Sequence, residues 1–204
     1  MRIKICGLTR REDALAAAQF GADALGFVFA PRSRRRVDVE AVADMVATLP
    51  PFVTAVGVFQ DQPLDEVNRI IDRCQLALAQ LHGHEDVAYL AGVRCRTLKA
   101  LSLAGVEDLQ RLATFPGQTA FLLDSGSGGT GETFDWDLAL RAKAFGRIVL
   151  SGGLTPDNVA TAVAAVRPWA VDGASGTEAA PGVKDSEKLR TFIANARRAA
   201  GRMT

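Results

Sequence analysis

The sequence predicts an α/β protein in which one domain, spanning residues 1–204, forms a closed (β/α)8 barrel, the TIM-barrel fold. Short apolar runs rich in β-branched residues alternate with helical periods along the chain, and each kind of segment occurs eight times. Because parallel strands need a crossover that is usually a helix, this alternation indicates parallel pairing. An open doubly wound sheet is the alternative architecture, but the eightfold count without a Pro/Ser-rich linker favours the barrel.

The predicted strands are the apolar runs themselves. In chain order they are Ile3–Cys6, Ala24–Phe29, Val53–Phe59, Leu76–Leu81, Cys95–Ala100, Ala120–Asp124, Ile148–Ser151 and Trp169–Asp172.

The predicted helices lie between the strands, where apolar residues recur at helical spacing. The clearest periods cover 42–49, 64–71 and 189–196, and the segments near 11–20, 86–91, 103–113, 135–144 and 156–166 complete the set. Two start signals support this assignment. Thr155 precedes Pro156 as an N-cap precedes a first-turn proline, and Asp185 is placed to cap the last helix.

Composition and charge exclude several classes of protein. The 204 residues are 48% hydrophobic and 23% charged, with a net charge of +1, which excludes a disordered chain. A near-neutral chain has no bulk attraction to nucleic acid or anionic lipid, and no apolar run reaches the roughly 18 residues of a membrane span. We therefore expect neither a nucleic-acid nor a membrane partner.

The cysteines and the N-terminal segment indicate a reducing compartment. Cys6, Cys74 and Cys95 are widely spaced, odd in number and form no CxxC pair. The segment MRIKICGLTR lacks the apolar stretch of a signal peptide. We expect a cytoplasmic protein.

The fold predicts where chemistry occurs, because reactive residues of such barrels lie at the C-terminal ends of the strands. Cys6 ends the first strand, where a thiol of lowered pKa serves as base or nucleophile; the alternative is a small buried apolar side chain. Lys4 shares its strand face and either favours the thiolate or pairs with an interior acid.

Asp124 ends the sixth strand after four apolar residues. An aspartate in an apolar site has a raised pKa and suits a general acid. The alternative is a loop-capping carboxylate bonded to the amides of residues 125–129, which would lower the pKa instead.

Two glycine-containing loops predict an anion site. Gly152 and Gly153 follow the seventh strand, and Ser175 and Gly176 follow the eighth. Backbone N–H groups in these two loops commonly bind phosphate in barrel enzymes. We expect a small phosphorylated molecule there.

The glycine-rich run from Gly126 to Gly131 imitates a nucleotide-binding P-loop. However, Glu132 occupies the lysine position of that motif and would repel phosphate, so we exclude ATP binding. The run is better interpreted as a loop over the active site; the alternative is an ordinary turn.

Further polar candidates follow the second and fourth strands. One arginine of Arg32–Arg36 is expected to point inward toward a carboxylate or phosphate, while the others form a solvated face. Gln80 and His82 are candidates to polarise a ligand or hydrogen-bond within the barrel mouth. His82 and His84 are the only histidines, too few for a nitrogen ligand set, so we expect no metal.

Seven segments, in order along nearly the whole chain, resemble the phosphoribosylanthranilate isomerase family of tryptophan biosynthesis. They are KICGLT at 4–9, GADALGFVFAPRSRRRV at 21–37, VGVF at 56–59, QLHG at 80–83, LLDSGSGGTGETFDW at 122–136, LSGGLTPDNV at 150–159 and VDGASGTEAAPGVKD at 171–185.

The resemblance implies an aldose–ketose isomerase that carries out an Amadori rearrangement of N-(5'-phosphoribosyl)anthranilate without metal or organic cofactor. It implies Cys6 as general base, Asp124 as general acid and Arg35 as the ligand of the anthranilate carboxylate. The loops after strands seven and eight would hold the phosphate. We expect a monomer or a homodimer.

The chain departs from the family pattern at three positions. Arg34 replaces a common proline and Arg36 a common aromatic residue, which leaves open which arginine binds the carboxylate. Ala174 stands where a serine often precedes the last Ser-Gly pair, a minor loss if backbone amides hold the phosphate.

Three kinds of rival function remain open: another phosphosugar barrel enzyme, a non-catalytic sensing barrel and a broader isomerase. A phosphosugar epimerase would show metal-ligand histidines and aspartates, and an indole-glycerol-phosphate synthase would need a lysine–glutamate set that Lys4 and Lys99 alone do not make. A non-catalytic sensing barrel would keep the glycine loops but could lose Cys6 or Asp124. A broader isomerase acting also on a histidine-pathway ribonucleotide would be expected to carry a second phosphate clamp.

Overall fold

A closed barrel of eight parallel strands forms the centre of the protein, as the sequence predicts. The computed structural model describes residues 1–118, 120–124 and 135–201. The strands are β1 (Arg2–Cys6), β2 (Ala24–Val28), β3 (Thr54–Phe59), β4 (Leu78–Leu81), β5 (Arg96–Ser102), β6 (Ala120–Asp124), β7 (Arg147–Leu150) and β8 (Ala170–Gly173). Each predicted strand is present, and none of its ends differs from the predicted end by more than two residues.

In the described residues, eight α-helices alternate with the strands. They are α1 (Arg11–Gln19), α2 (Val39–Val46), α3 (Leu64–Cys74), α4 (Val87–Gly92), α5 (Gln110–Ala113), α6 (Trp136–Ala142), α7 (Val159–Val166) and α8 (Ser186–Gly201). None of these helices is long and apolar enough to cross a bilayer.

The predicted helix over 103–113 is largely replaced by a tighter turn. A 3₁₀ segment covers Val106–Leu109, and α5 adds only one α-helical turn. The Asp108 carboxylate accepts a hydrogen bond from the Ala104 N–H at 2.7 Å, so this side chain bonds back to the backbone just before the 3₁₀ segment.

The start of α7 lies three residues later than its sequence signal. The Thr155 hydroxyl accepts the N–H groups of Asp157 and Asn158 at 3.3 Å each, as an N-cap does, but these residues form a turn before the helix begins. The second signal is confirmed, because Asp185 accepts hydrogen bonds from Glu187 N–H and Lys188 N–H at the start of α8.

Residues facing the barrel axis alternate with residues facing the helices. A small inner cluster is made of Leu98, Ala100, Leu122, Val149 and Ala170, and the larger apolar cluster lies between the strands and the surrounding helices. Since side chains alternate along a strand, the last inward position of several strands opens at the barrel mouth.

A short hairpin after β8 lies against the loop after β1. It consists of β9 (Glu178–Ala180) and β10 (Val183–Lys184), paired antiparallel. The Thr9 hydroxyl donates to the Gly182 carbonyl at 2.6 Å, and the Lys184 N–H donates to the Asp13 carboxylate at 3.0 Å. The hairpin therefore brings two more charged side chains, Glu178 and Lys184, to the barrel mouth.

Two leucines of α6 provide a test of the packing. Leu138 is 4% exposed and packs into the main apolar cluster, whereas Leu140 on the same helix is 43% exposed. We expect Leu138→Ala to lower the free energy of unfolding by about 2–5 kcal/mol, because it removes buried methyl groups and leaves a cavity. Urea unfolding measures this. Leu140→Ala is the matched control, and an equal loss in both variants would contradict the assigned orientation of α6.

Candidate active site

One open cleft of about 830 Å³ occupies the C-terminal mouth of the barrel. Eight of the nine predicted site residues line it: Cys6, Arg35, Gln80, His82, Asp124, Gly152, Gly153 and Ser175. Gly176 lies behind the cleft wall, where a Cβ atom would overlap the Leu154 carbonyl oxygen. Gly176 therefore lets the loop after β8 pack directly against the loop after β7.

Cys6 is a buried thiol at the end of β1, 7% exposed, with its side chain on the inward face. Burial raises the pKa of Cys6, while the Lys4 ammonium lowers it and the Asp172 carboxylate raises it further. The net shift is upward, so the expectation of a lowered thiol pKa is wrong for this structure. Burial depends on the whole barrel and could not be judged from the position of Cys6 in the sequence.

Lys4 forms a buried ion pair with Asp172 of β8. Its Nζ lies 2.8 Å from Asp172 Oδ2, and both side chains are about 5% exposed or less. Burial by itself lowers the pKa of Lys4, but the negative charges of Asp172 and Cys6 raise it by more. Lys4 therefore pairs with an interior acid, which is one of its two sequence-based interpretations.

Asp124 and His82 face each other across the cleft. His82 Nε2 lies 3.7 Å from Asp124 Oδ2. Burial lowers the pKa of His82 against the opposing effect of Asp124, so the imidazole is neutral at pH 7 and one ring nitrogen can accept a proton. The alternative role of Asp124 as a cap of residues 125–129, and the loop predicted for Gly126–Gly131, lie outside the described residues.

Cys6 and Asp124 approach the same cleft from different sides. In the order of the closed sheet β7 and β8 separate β6 from β1, so the two strands are not neighbours. Both side chains nevertheless line the same cleft. A thiol and a carboxyl group can therefore act on different atoms of one small molecule.

Arg32, Arg34 and Arg35 of the basic run all line the cleft, and Arg35 is the one held there by an ion pair. It is partly buried, whereas Arg32, Arg34 and Arg36 are exposed. Its Nε and Nη2 atoms donate to the two Glu178 oxygens at 2.7 Å each. This bidentate pair does not use the Nη1 atom, which lies on the other edge of the guanidinium. Gly7 makes room for this arrangement, because a Cβ there would overlap Arg35 Cδ.

Glu178 is shared between two cations. Besides Arg35, Lys184 Nζ lies 3.3 Å from its Oε1 atom. Burial tends to raise the pKa of Glu178, but Arg35 and Lys184 lower it by more. Neither Glu178 nor Lys184 is predicted from the sequence, because their partners are more than a hundred residues away or on the far side of a loop.

The glycine loops bring backbone N–H groups to the cleft. Gly152 and Gly153 have φ angles of 80° and 63°, which residues with a side chain rarely adopt. Within the described part of the chain, the N–H groups of Gly152, Gly153 and Ser175 donate no hydrogen bond to the protein. These donors are available for an anion at the edge of the cleft.

A second buried ion pair fixes the loop that carries His82. Lys99 Nζ lies 2.8 Å from Glu85 Oε2 and donates to the Gly83 carbonyl at 2.7 Å. Glu85 in turn accepts the N–H groups of Asp61 and Gly83 at 2.9 Å. This pair is missed by sequence analysis, although a lysine inside the apolar run TLKAL is a signal for a buried partner.

The two histidines are used differently. His82 lines the cleft, whereas the His84 side chain is 97% exposed and its Nδ1 lies 3.2 Å from Asp61 Oδ2. In the described ranges no group of three or more His, Cys, Asp or Glu residues is arranged to hold a metal ion.

The cleft therefore contains a candidate acid, Asp124, and a candidate base, Cys6. The Arg35 guanidinium and the N–H groups of the two glycine loops lie around them. That combination on a (β/α)8 barrel defines an enzyme that performs acid–base chemistry on a small anionic molecule. Comparison with known proteins narrows this class. The chain belongs to the N-(5'-phosphoribosyl)anthranilate isomerase family, which matches over residues 3–195.

The similarity to relatives extends over nearly the whole length of both chains. The N-(5'-phosphoribosyl)anthranilate isomerase of Citrifermentans bemidjiense is 54% identical over 203 residues, 98% of both chains. The phosphoribosyl anthranilate isomerase structure from Thermus thermophilus is 45% identical, with a TM-score of 0.90 over 97% of this chain and 99% of that one. The Thermotoga maritima structure is 41% identical, with a TM-score of 0.92 over the same shares.

Breaking the buried Lys99–Glu85 ion pair should lower the free energy of unfolding strongly. Glu85→Gln leaves the Lys99 ammonium buried without a countercharge, and we expect unfolding to become easier by about 3–5 kcal/mol. Urea unfolding is the measurement. Glu40→Gln is the control, since Glu40 pairs with Arg73 at the exposed surface and its loss should barely move the midpoint. Equal shifts in the two variants would mean that the Lys99–Glu85 pair is no more important than a surface pair.

Proposed function

We propose that this chain converts N-(5'-phosphoribosyl)anthranilate to 1-(2-carboxyphenylamino)-1-deoxyribulose 5-phosphate, with Asp124 as general acid and Cys6 as general base. The observation that carries the proposal is that these two side chains, from non-adjacent strands, line one cleft. A solved relative, 40% identical to this chain, is a phosphoribosyl anthranilate isomerase in complex with reduced 1-(o-carboxyphenylamino)-1-deoxyribulose 5-phosphate.

The reaction needs one proton delivered to oxygen and one removed from carbon. Asp124 gives its proton to the ribose ring oxygen while the nitrogen lone pair expels that oxygen, which opens the ring to a protonated imine. The imine acidifies the hydrogen on the adjacent sugar carbon. The Cys6 thiolate takes that proton, and the electrons of the C–H bond form an enolamine that tautomerises to the ketone.

The ends of the substrate match the ends of the cleft. In this proposal the Nη1 edge of Arg35 binds the anthranilate carboxylate, while Glu178 holds the opposite edge of the guanidinium. The amides of Gly152, Gly153 and Ser175 bind the ribose phosphate, and Gly176 keeps their two loops in contact. Gln80 and His82, both on the cleft wall, orient the sugar between these anchors.

We further propose that residues 1–204 form a single catalytic domain that functions in the cytoplasm and needs neither a metal nor an organic cofactor. The described helices contain no candidate membrane span, and the chemistry above uses only side chains of this chain.

The central prediction concerns the two proton-transfer groups. We expect Cys6→Ala and Asp124→Asn each to lower kcat by a factor of about 10²–10⁴, the usual contribution of one acid–base group. A fluorescence assay following consumption of phosphoribosylanthranilate measures turnover, and circular dichroism checks the fold.

Cys95→Ala is the matched control, because Cys95 lies at the start of β5 and does not line the cleft. Near-normal turnover in Cys6→Ala or Asp124→Asn would refute the assignment. A wild-type protein that binds inorganic phosphate but does not turn over the substrate would instead favour the non-catalytic sensing barrel.

The proposed assembly is a homodimer, with the monomer as the alternative. Phe52 is 96% exposed just before β3, and Trp169 is 44% exposed just before β8. Both therefore lie at the N-terminal face of the barrel, opposite the cleft. Exposed large apolar side chains on one face are typical of interaction surfaces. A solved structure 39% identical to this chain shows monomers generated from the dimeric phosphoribosylanthranilate isomerase of Thermotoga maritima.

Sedimentation velocity over a range of protein concentrations tests the assembly. We expect the wild type to sediment as a dimer and Phe52→Ser to sediment as a monomer with unchanged secondary structure, because the serine removes the apolar contact. A wild type that is monomeric at every concentration would leave the monomer as the correct state.

A further inference from the structure

We propose that Lys4 is a positioning residue that supports the thiolate form of Cys6, and that Asp172 keeps Lys4 in place and charged for this purpose. The inference rests on the proposed function, because it takes Cys6 to be the base. Lys4, Cys6 and Asp172 form a buried group of three ionisable side chains. The charges of Lys4 and Asp172 together determine the pH at which the Cys6 thiol ionises.

Strand geometry brings the lysine and the cysteine together. Lys4 and Cys6 are two residues apart on β1, so both side chains point toward the barrel axis. Gly26 on β2 provides the space in which they meet: a Cβ there would lie 2.8 Å from Cys6 Sγ and 3.2 Å from Lys4 Cε. Any side chain at position 26 would push the two groups apart.

Asp172 explains how an ammonium group persists in a buried place. A buried lysine without a partner gives up its proton, because burial penalises the charged form. Lys4 pairs with Asp172 across the β1–β8 ladder, where the two residues are direct register partners. The 2.8 Å contact between Nζ and Oδ2 offsets the desolvation of both charges.

The other cations near Cys6, Lys184 and Arg35, share the carboxylate of Glu178. Lys184 donates to the Cys6 carbonyl oxygen at 2.7 Å and pairs with Glu178, while Arg35 is held by Glu178 through two hydrogen bonds. Asp172 opposes ionisation of the thiol. Among the cations that face Cys6, Lys4 makes the largest contribution to lowering its pKa.

Loss of the Lys4 charge and loss of the Asp172 charge shift the ionisation of Cys6 in opposite directions. Lys4→Met removes the cation and leaves the Asp172 carboxylate facing the thiol, so ionisation becomes harder. Asp172→Asn removes the anion that opposes thiol ionisation. The Cys6 thiolate then becomes the countercharge of the Lys4 ammonium, so ionisation of the thiol becomes easier. A purely structural role of the ion pair predicts the same direction in both variants, because both lose the same salt bridge.

The test measures ionisation of Cys6 directly and without substrate. Iodoacetamide reacts with the thiolate, so the rate of Cys6 alkylation, resolved by peptide mass spectrometry over a pH series, gives the midpoint of ionisation. We expect Lys4→Met to raise this midpoint by about one pH unit or more, the effect of losing one nearby opposite charge, and Asp172→Asn to lower it.

Kinetics provide a second readout. Lys4→Met should lower kcat at neutral pH by about tenfold for each unit by which the midpoint rises, with a small change in KM, and should regain activity as the pH increases. Lys143→Met is the matched control, because Lys143 is exposed and caps α7 through the Val166 carbonyl. Cys95, alkylated in the same digests, serves as an internal reference.

An unchanged Cys6 midpoint in Lys4→Met, or shifts of the same sign in both variants, would overturn the inference. If Lys4→Met does not fold, Asp172→Asn decides alone: a lower midpoint supports the role of Lys4, and a higher or unchanged one contradicts it. A fully active Cys6→Ala enzyme would instead refute the proposed function. An inactive Cys6→Ala enzyme with unshifted midpoints would refute only this inference.

Discussion

The pairing of β1 with β8 is the constraint on which the rest of the site depends. It joins the first strand to the last and brings Lys4 within 2.8 Å of Asp172, residues that are 168 positions apart in sequence. Buried ion pairs contribute little net stability, because desolvation costs about as much as the attraction returns. The apolar contacts between the strands and the helices must therefore close the barrel, and the Lys4–Asp172 pair is better understood as part of the chemistry next to it.

Three cations at the barrel mouth share two carboxylates before any substrate arrives. Asp172 balances Lys4, and Glu178 is shared by Arg35 and Lys184. One positive charge of this group is therefore left over, and Arg32 and Arg34 also line the cleft, so a chain of net charge +1 can offer a local site for an anionic molecule. In the proposed function, selectivity comes from the placement of individual donors, the Nη1 edge of Arg35 and the amides of the glycine loops, which are already oriented before binding.

The sequence predicts the parts of this protein that depend on local pattern. The eight strands and the inward positions of Cys6 and Asp124 follow from periodicity and from where strands end, whereas Arg35 is singled out only by the family resemblance. Glu178 and the Lys99–Glu85 pair are missed, because their roles depend on loops that meet only in the folded barrel. The direction of the Cys6 pKa shift is mispredicted for the same reason: burial is a property of the assembled core, and it outweighs the nearby lysine.

Three glycines provide space for groups that come from distant parts of the chain. Gly7 leaves room for the Arg35 side chain, Gly26 for the Cys6 thiol and the Lys4 stem, and Gly176 for the Leu154 carbonyl. In each case the missing Cβ is what allows a group from another strand or loop to reach the mouth of the barrel. The glycines of segments such as KICG and of the last Ser-Gly pair therefore meet steric requirements of the folded site: one residue supplies a side chain or carbonyl group, and a glycine elsewhere in the chain supplies the space that it occupies.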